Sequence, residues 1–192
     1  MFHPLKHFRT ITKHRHIVMQ ECFRVGLYRQ GLLHDLSKYT PSEFFVGARY
    51  YQGTQSPNNA ERDDLGVSYA WLHHKGRNKH HYEYWTDYQR HPDRPVTIEY
   101  VRMPANYVVE MCMDRIAASK VYNGDAYTDQ DALAYYRHGD PSRFMHPETA
   151  AELEKLLTIL AEEGEEALYA YIRENVLPAW RKNRRRKGVK VS

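Results

Sequence analysis

The sequence predicts an all-α protein: a single domain of about seven helices. Three observations carry this. Apolar residues recur at helical intervals, as in Ile11, Val18, Cys22 and Val25. No run alternates apolar and polar residues between turn signals as a strand does, and no internal repeat is visible. The 192 residues, 42% of them hydrophobic, suffice for one sizeable core.

Taken in order, residues 1–10 read as an irregular arm, and Thr10 or Thr12 caps a helix over roughly 13–28. Gly26 and Gly31 bracket a break, after which a short helix carries Leu32 to Leu36. Ser42 heads a helix through Tyr51, and Gly53 to Asn59 is a polar loop. Asp63 or Asp64 starts the next helix, which runs through Trp71 and Leu72 into a turn holding His73, His74, His80 and His81. Pro92 and Pro95 make 86–98 a loop. Pro104 sits in the first turn of a long helix over about 103–122. Thr128 or Asp129 caps a short helix that Gly139 ends. Pro147 opens another that runs to Gly164, and a last helix from Glu165 bends or stops at Pro178.

The formal net charge is +4, and much of the surplus lies in Arg181–Lys190. The chain therefore divides into a nearly neutral body, 1–180, and a basic tail, 181–192. Such a tail adds weak, salt-sensitive attraction to nucleic acid without sequence specificity. Two cysteines, Cys22 and Cys112, build no disulfide framework. No stretch approaches the roughly 20 apolar residues of a membrane span, and the first residues lack a leader's apolar core. The expectation is a soluble cytoplasmic protein with no membrane contact. Twelve histidines are the one outlying count.

Those histidines fall in suggestive company. His14 precedes Val18 by four residues and shares its apolar stripe, while His16 faces elsewhere and is the alternative to it. His34 and Asp35 follow Leu32 and Leu33. Asp114 shares a face with Tyr107, Met111, Ala118 and Val121, so it is a carboxylate in an apolar stripe. Burying it unpaired would cost several kcal/mol, so it is protonated, paired or metal-bound. Arg115 or Arg102 is the structural alternative as partner. Imidazole nitrogen and carboxylate oxygen together suit a divalent ion such as Mn, Zn, Fe, Co or Ni, and helical bundles build such sites from several helices.

The order of these residues resembles the HD-domain metal-dependent phosphohydrolase superfamily: a histidine, then LLHDLSK, then a histidine-rich turn, then the aspartate of MDRIAA. The segments GLLHDLSKYTPSEF and HHKGRNKHHYEYW are also similar to the family DUF5662. The HD resemblance implies an HD-type bundle over roughly 13–120. It implies His14, His34, Asp35 and Asp114 as ligands of a divalent metal (Mg included), with His74 and His80 ahead of His73 and His81 for any extra contact. Whether one ion or two is bound stays open. The implied activity is hydrolysis of a small phosphate ester, plausible as a nucleotide because cations and aromatics adjoin the site. Asp35 would hold the ion and its water. Lys38, Arg77 and Lys79 would meet phosphate charge, and Glu110, four residues before Asp114, would orient a ligand or take a proton. Glu43 is a spare carboxylate. Trp71, Tyr82, Tyr84 and Trp85 read as core and pocket wall. The competing readings are a non-catalytic nucleotide-binding module that keeps the pocket, and nucleic-acid binding through the tail.

Overall fold

The computed structural model describes residues 2–187, and it is helical almost throughout. The first helix, α1 (Pro4–Arg24), is longer than its apolar residues alone predict. Proline is tolerated in a first turn, and His7 extends the buried stripe of Ile11, His14 and Val18 toward the N-terminus. His7 packs where a Cβ on Gly47 would collide with its ring, so glycine there admits the arm into the fold.

The next helix, α2 (Tyr28–Leu33), ends before His34 rather than at Leu36. Gly31 lets it lie against α1, since a Cβ there would stand 3.0 Å from that of Cys22. A 3-10 turn over Leu36–Tyr39 leads into α3 (Pro41–Arg49). The single helix expected up to Leu72 is two: α4 (Pro57–Leu65) and α5 (Tyr69–Lys75). Gly66, at φ 74, closes the first, and Ser68 caps the second by accepting from the Trp71 N–H.

Residues 86–98 are not an irregular loop. They belong to an antiparallel hairpin, β1 (Thr86–His91) and β2 (Arg94–Tyr100), with Tyr88 opposite Ile98 and a register shift between Gln89 and His91. Its prolines sit where a two-stranded ribbon tolerates them, in the turn and on an outer strand. The strand residues are exposed from Thr86 to Arg90 and from Arg94 to Glu99.

The core helix is α6 (Ala105–Asn123), with Val108, Val109, Met111, Cys112, Met113, Ile116 and Ala117 all buried. Burial on almost every side marks a central helix rather than an amphipathic surface one. Around it pack α1, α7 (Asp131–Gly139) and α8 (Pro147–Glu163). Then α9 (Glu165–Tyr171) passes through a π turn, Ile172–Val176, into α10 (Leu177–Lys187). The chain thus stays helical across Pro178, because the wider π turn just before it absorbs the ladder bond that proline cannot make. The expected tail, 181–192, begins inside α10; residues 188–192 and the side chains of 184–187 lie outside the described structure. Among the described residues, no helix is long and apolar enough to cross a membrane.

The hairpin and the core differ in what they contribute. Replacing residues 87–99 by a short Gly-Ser turn leaves the thermal midpoint within a few degrees of wild type. Leu157→Ala, at a fully buried position, costs roughly 2–5 kcal/mol in chemical denaturation.

Candidate metal centre

The site is organised by a turn. His34 and Asp35 fall between α2 and the 3-10 segment, so they need not share a helix face. Asp35 adopts a left-handed backbone, φ 54. Arg15, on α1, fixes this turn by donating to the carbonyls of His34 (3.2 Å) and Leu32 (2.5 Å). The Asp35 carboxylate ends up 1% exposed.

Its two oxygens face different imidazole sets. Toward Oδ2 stand His34 Nε2 at 3.3 Å and His14 Nε2 at 3.7 Å. Asp114 Oδ1, from α6, lies 2.9 Å from His14 Nε2 and 3.5 Å from His34 Nε2. Toward Oδ1 stand His74 Nε2 at 3.3 Å, on α5, and His80 Nε2 at 3.4 Å, in the turn that follows. His81 Nε2 is 2.9 Å from His74 Nε2. His14, His34, Asp35 and Asp114 therefore form one candidate ligand group, and Asp35, His74, His80 and His81 another, each with donor atoms within 4.8 Å of one another. Asp35 belongs to both.

A second layer orients the rings. Glu110, one turn before Asp114 on α6, accepts at Oε1 from Nδ1 of His34 (3.0 Å) and lies 3.2 Å from Nδ1 of His80. Glu43, on α3, faces Nδ1 of His74 at 2.8 Å. A carboxylate on Nδ1 keeps the proton there and turns the Nε2 lone pair inward, the usual arrangement behind metal-bound histidine. Gln30 steadies Glu110 by donating to Oε2 at 2.9 Å.

The inward atoms are short of partners, apart from the Lys38 ammonium 2.6 Å from Asp35 Oδ2. Nε2 of His14, His34 and His80 and both oxygens of Asp35 are buried without a hydrogen bond. His14 Nε2 and Asp114 Oδ1 are close, but the contact lacks hydrogen-bond geometry. Buried polar atoms are rarely left so, and five in one place point to a cation that would satisfy them together. The buried cluster could hold a metal ion. Imidazole-rich sets suit Zn, Mn, Fe, Co or Ni better than Mg, which prefers oxygen.

In the absence of metal, charge is balanced by protons. Burial alone would lower the His34 pKa, but Asp35, Asp114 and Glu110 outweigh it and raise it well above the ordinary imidazole value. Burial would raise Asp35, but His34, Lys38 and His74 hold it well below the carboxylate range. Burial lowers His14, with Lys38 adding to the effect. Burial also lowers His81, helped by His80 and His74. Glu110 is brought down to about 2 because hydrogen bonds from His34 and His80 overcome its burial.

The expected ligands His14, His34, Asp35, His74, His80 and Asp114 all come together. His81 joins them, where spacing gave no reason to prefer it. His73 turns away, its Nδ1 2.6 Å from Glu43 and its Nε2 3.1 Å from Ser42 Oγ. His16 is exposed and Arg102 pairs with Glu148 at 2.8 Å, so neither alternative applies. Lys38 reaches Asp35 Oδ2 at 2.6 Å with its side chain 27% exposed. Arg77 and Lys79 line a cleft of about 1340 Å³ whose wall also includes His34, His80 and Glu110. Trp71 packs against the imidazoles, tilted to His74 and edge-on to His81.

The family described as "Family of unknown function (DUF5662)" matches residues 3–159, and the chain belongs to it. No curated protein and no solved structure matches the chain.

Two outcomes follow from this geometry. Asp35→Asn loses bound transition metal by elemental analysis, whereas His73→Ala keeps it, since only Asp35 serves both groups. Loading the metal-free protein releases protons, because His34 holds one near neutrality that a metal must displace. Metal affinity therefore falls as pH drops, and titration calorimetry in two buffers of different ionisation enthalpy reads the release directly.

Proposed function

We propose that this member of DUF5662 is a metal-dependent phosphohydrolase with an HD-type centre that holds two divalent ions, acting on a small phosphate ester such as a nucleotide. One observation carries the reading: the two buried oxygens of Asp35 face separate sets of imidazole nitrogens, with Nε2 of His14 and His34 unpartnered on one side and Nε2 of His80 unpartnered on the other, beside the paired His74 and His81. A carboxylate shared in this way supports a paired site, and the residue order supports the HD resemblance.

Divalent ions bound there would lower the pKa of water and polarise a phosphoryl oxygen. The chain's own residues supply the rest. Asp35 bridges the two ligand groups. Lys38 sits at their solvent edge. Burial alone would lower its pKa, but Asp35 and Asp114 outweigh this and keep it charged. It is placed to meet a phosphoryl oxygen as negative charge accumulates. Glu110 is ionised and engaged by two rings, so it fits a positioning role better than the proton transfer its spacing suggests. Arg77 and Lys79 line the cleft that His34, His80 and Glu110 also line, where they are available to meet phosphate charge.

The test is a panel of phosphomonoesters, nucleotides and cyclic nucleotides offered to protein reconstituted with Mn, Co or Zn. Turnover is expected, and Lys38→Ala lowers kcat by roughly a hundredfold while leaving metal content unchanged. Tight nucleotide binding without turnover in fully metallated protein selects the non-catalytic module instead.

A further inference from the structure

The outer side of α1 is apolar and basic at once. At 100° per residue, Phe8, Leu5, Arg9, Lys13 and Lys6 follow one another around an arc of about 160°, opposite the buried stripe of His7, Ile11, His14 and Val18. All five are exposed, Leu5 at 73%. The apolar part continues onto neighbouring elements. The Phe8 ring centre lies 5.9 Å from that of Tyr39 and 6.5 Å from that of Phe44. Phe45, 57% exposed, stands beside Phe44 at 5.8 Å. Leu36, also exposed, is in the same 3-10 turn as Tyr39. Large exposed apolar side chains gathered from three elements mark an interaction surface.

The charge of this face has one sign. Residues 2–20 and 36–49, which carry the patch, hold a single acid, Glu43, and it is buried against His73 and His74. Lys6, Arg9 and Lys13 are exposed on α1, as is Arg49, one turn beyond Phe45 on α3. Among the described residues none of these four cations pairs with a carboxylate. The two other cations nearby are engaged, Arg15 with backbone carbonyls and Lys38 with Asp35. That charge selects the occupant. A second copy offering the same face would set these cations against their own kind. Nucleic acid would satisfy the cations but leave the leucines and phenylalanines in water. An anionic bilayer offers both parts, charge at its headgroups and hydrocarbon beneath them.

From an apolar patch rimmed by unpaired cations and free of exposed acid, we infer that this face binds an anionic phospholipid surface. The first half of α1 lies along the membrane. Leu5, Phe8, Leu36 and Phe45 reach into the boundary between headgroups and acyl chains, and Lys6, Arg9, Lys13 and Arg49 meet lipid phosphates. Contact of this kind needs no spanning helix. It revises the expectation of no membrane contact, which rested on the lack of one. None of these residues belongs to the metal centre, and the inference does not rest on the hydrolase reading.

The experiment is co-sedimentation of full-length, metal-loaded protein with vesicles of phosphatidylcholine alone, or of phosphatidylcholine and phosphatidylglycerol in equal parts. Binding to the anionic vesicles is expected to be stronger by roughly tenfold or more. Two double variants alter exposed positions only, Leu5→Ser with Phe45→Ser and Lys6→Glu with Arg9→Glu. Circular dichroism verifies that both keep the fold. Each is expected to weaken binding to anionic vesicles by roughly tenfold. No binding overturns the inference, as does equal binding to neutral vesicles. Binding that leaves the Leu5→Ser, Phe45→Ser variant as tight as wild type also overturns it, and assigns the attraction to the basic tail. So does a dimer in analytical ultracentrifugation, or capture of an acidic protein, that the same variant abolishes while vesicles go unbound. Absence of phosphoester turnover with vesicle binding intact defeats the hydrolase reading alone.

Discussion

A carboxylate with both oxygens removed from water must be surrounded by positive charge or by donors. Asp35 is such a group, and the helices near it are arranged to meet that demand. His14 comes from the first helix, His74 from the fifth, His80 and His81 from the turn after it, and Asp114 from the central one. None of these segments is near Asp35 in sequence. Without a metal, a protonated His34 and Lys38 carry the compensating charge. The same constraint explains the outer layer, since each inward nitrogen needs its ring held by something behind it, and Glu110 and Glu43 do this for His34, His80 and His74.

The central helix links fold and site. Glu110 and Asp114 are one turn apart and act on opposite sides of His34, one at Nδ1 and the other near Nε2. Val108, Val109, Cys112 and Met113 are buried around them, so the positions of both carboxylates are set by core packing. A change of volume in that core is therefore felt at the rings as well as in stability.

Much of this was legible from the chain. His14 and Asp114 stood out because they interrupt apolar helical stripes, and His34-Asp35 because it closes an apolar run. The part that periodicity could not reach lies in turns. His80 and His81 are adjacent yet both turn inward, and His73 and His74 are adjacent yet only one does. Side-chain direction in a turn depends on backbone angles that no spacing encodes. The early start of α1 was hidden because its stripe continues through a histidine. The two helices read as one are separated by Gly66 and Ser68, which were visible but outweighed by the apolar residues that follow. The hairpin has alternation at Val96, Thr97, Ile98 and Glu99, but its two prolines argued against a strand, a rule that holds for sheet interiors and not for an isolated ribbon.

The left-handed backbone at Asp35 carries a historical consequence. A residue with a Cβ pays about 1 kcal/mol or more to stand there, whereas glycine does not. Glycine would also remove the negative charge that His34 and Lys38 face, stranding those cations in the interior. That loss outweighs the relief of the turn, so erosion of the centre meets a barrier at this position rather than a slope. The strained aspartate is held in place by the charges gathered around it as well as by what it does.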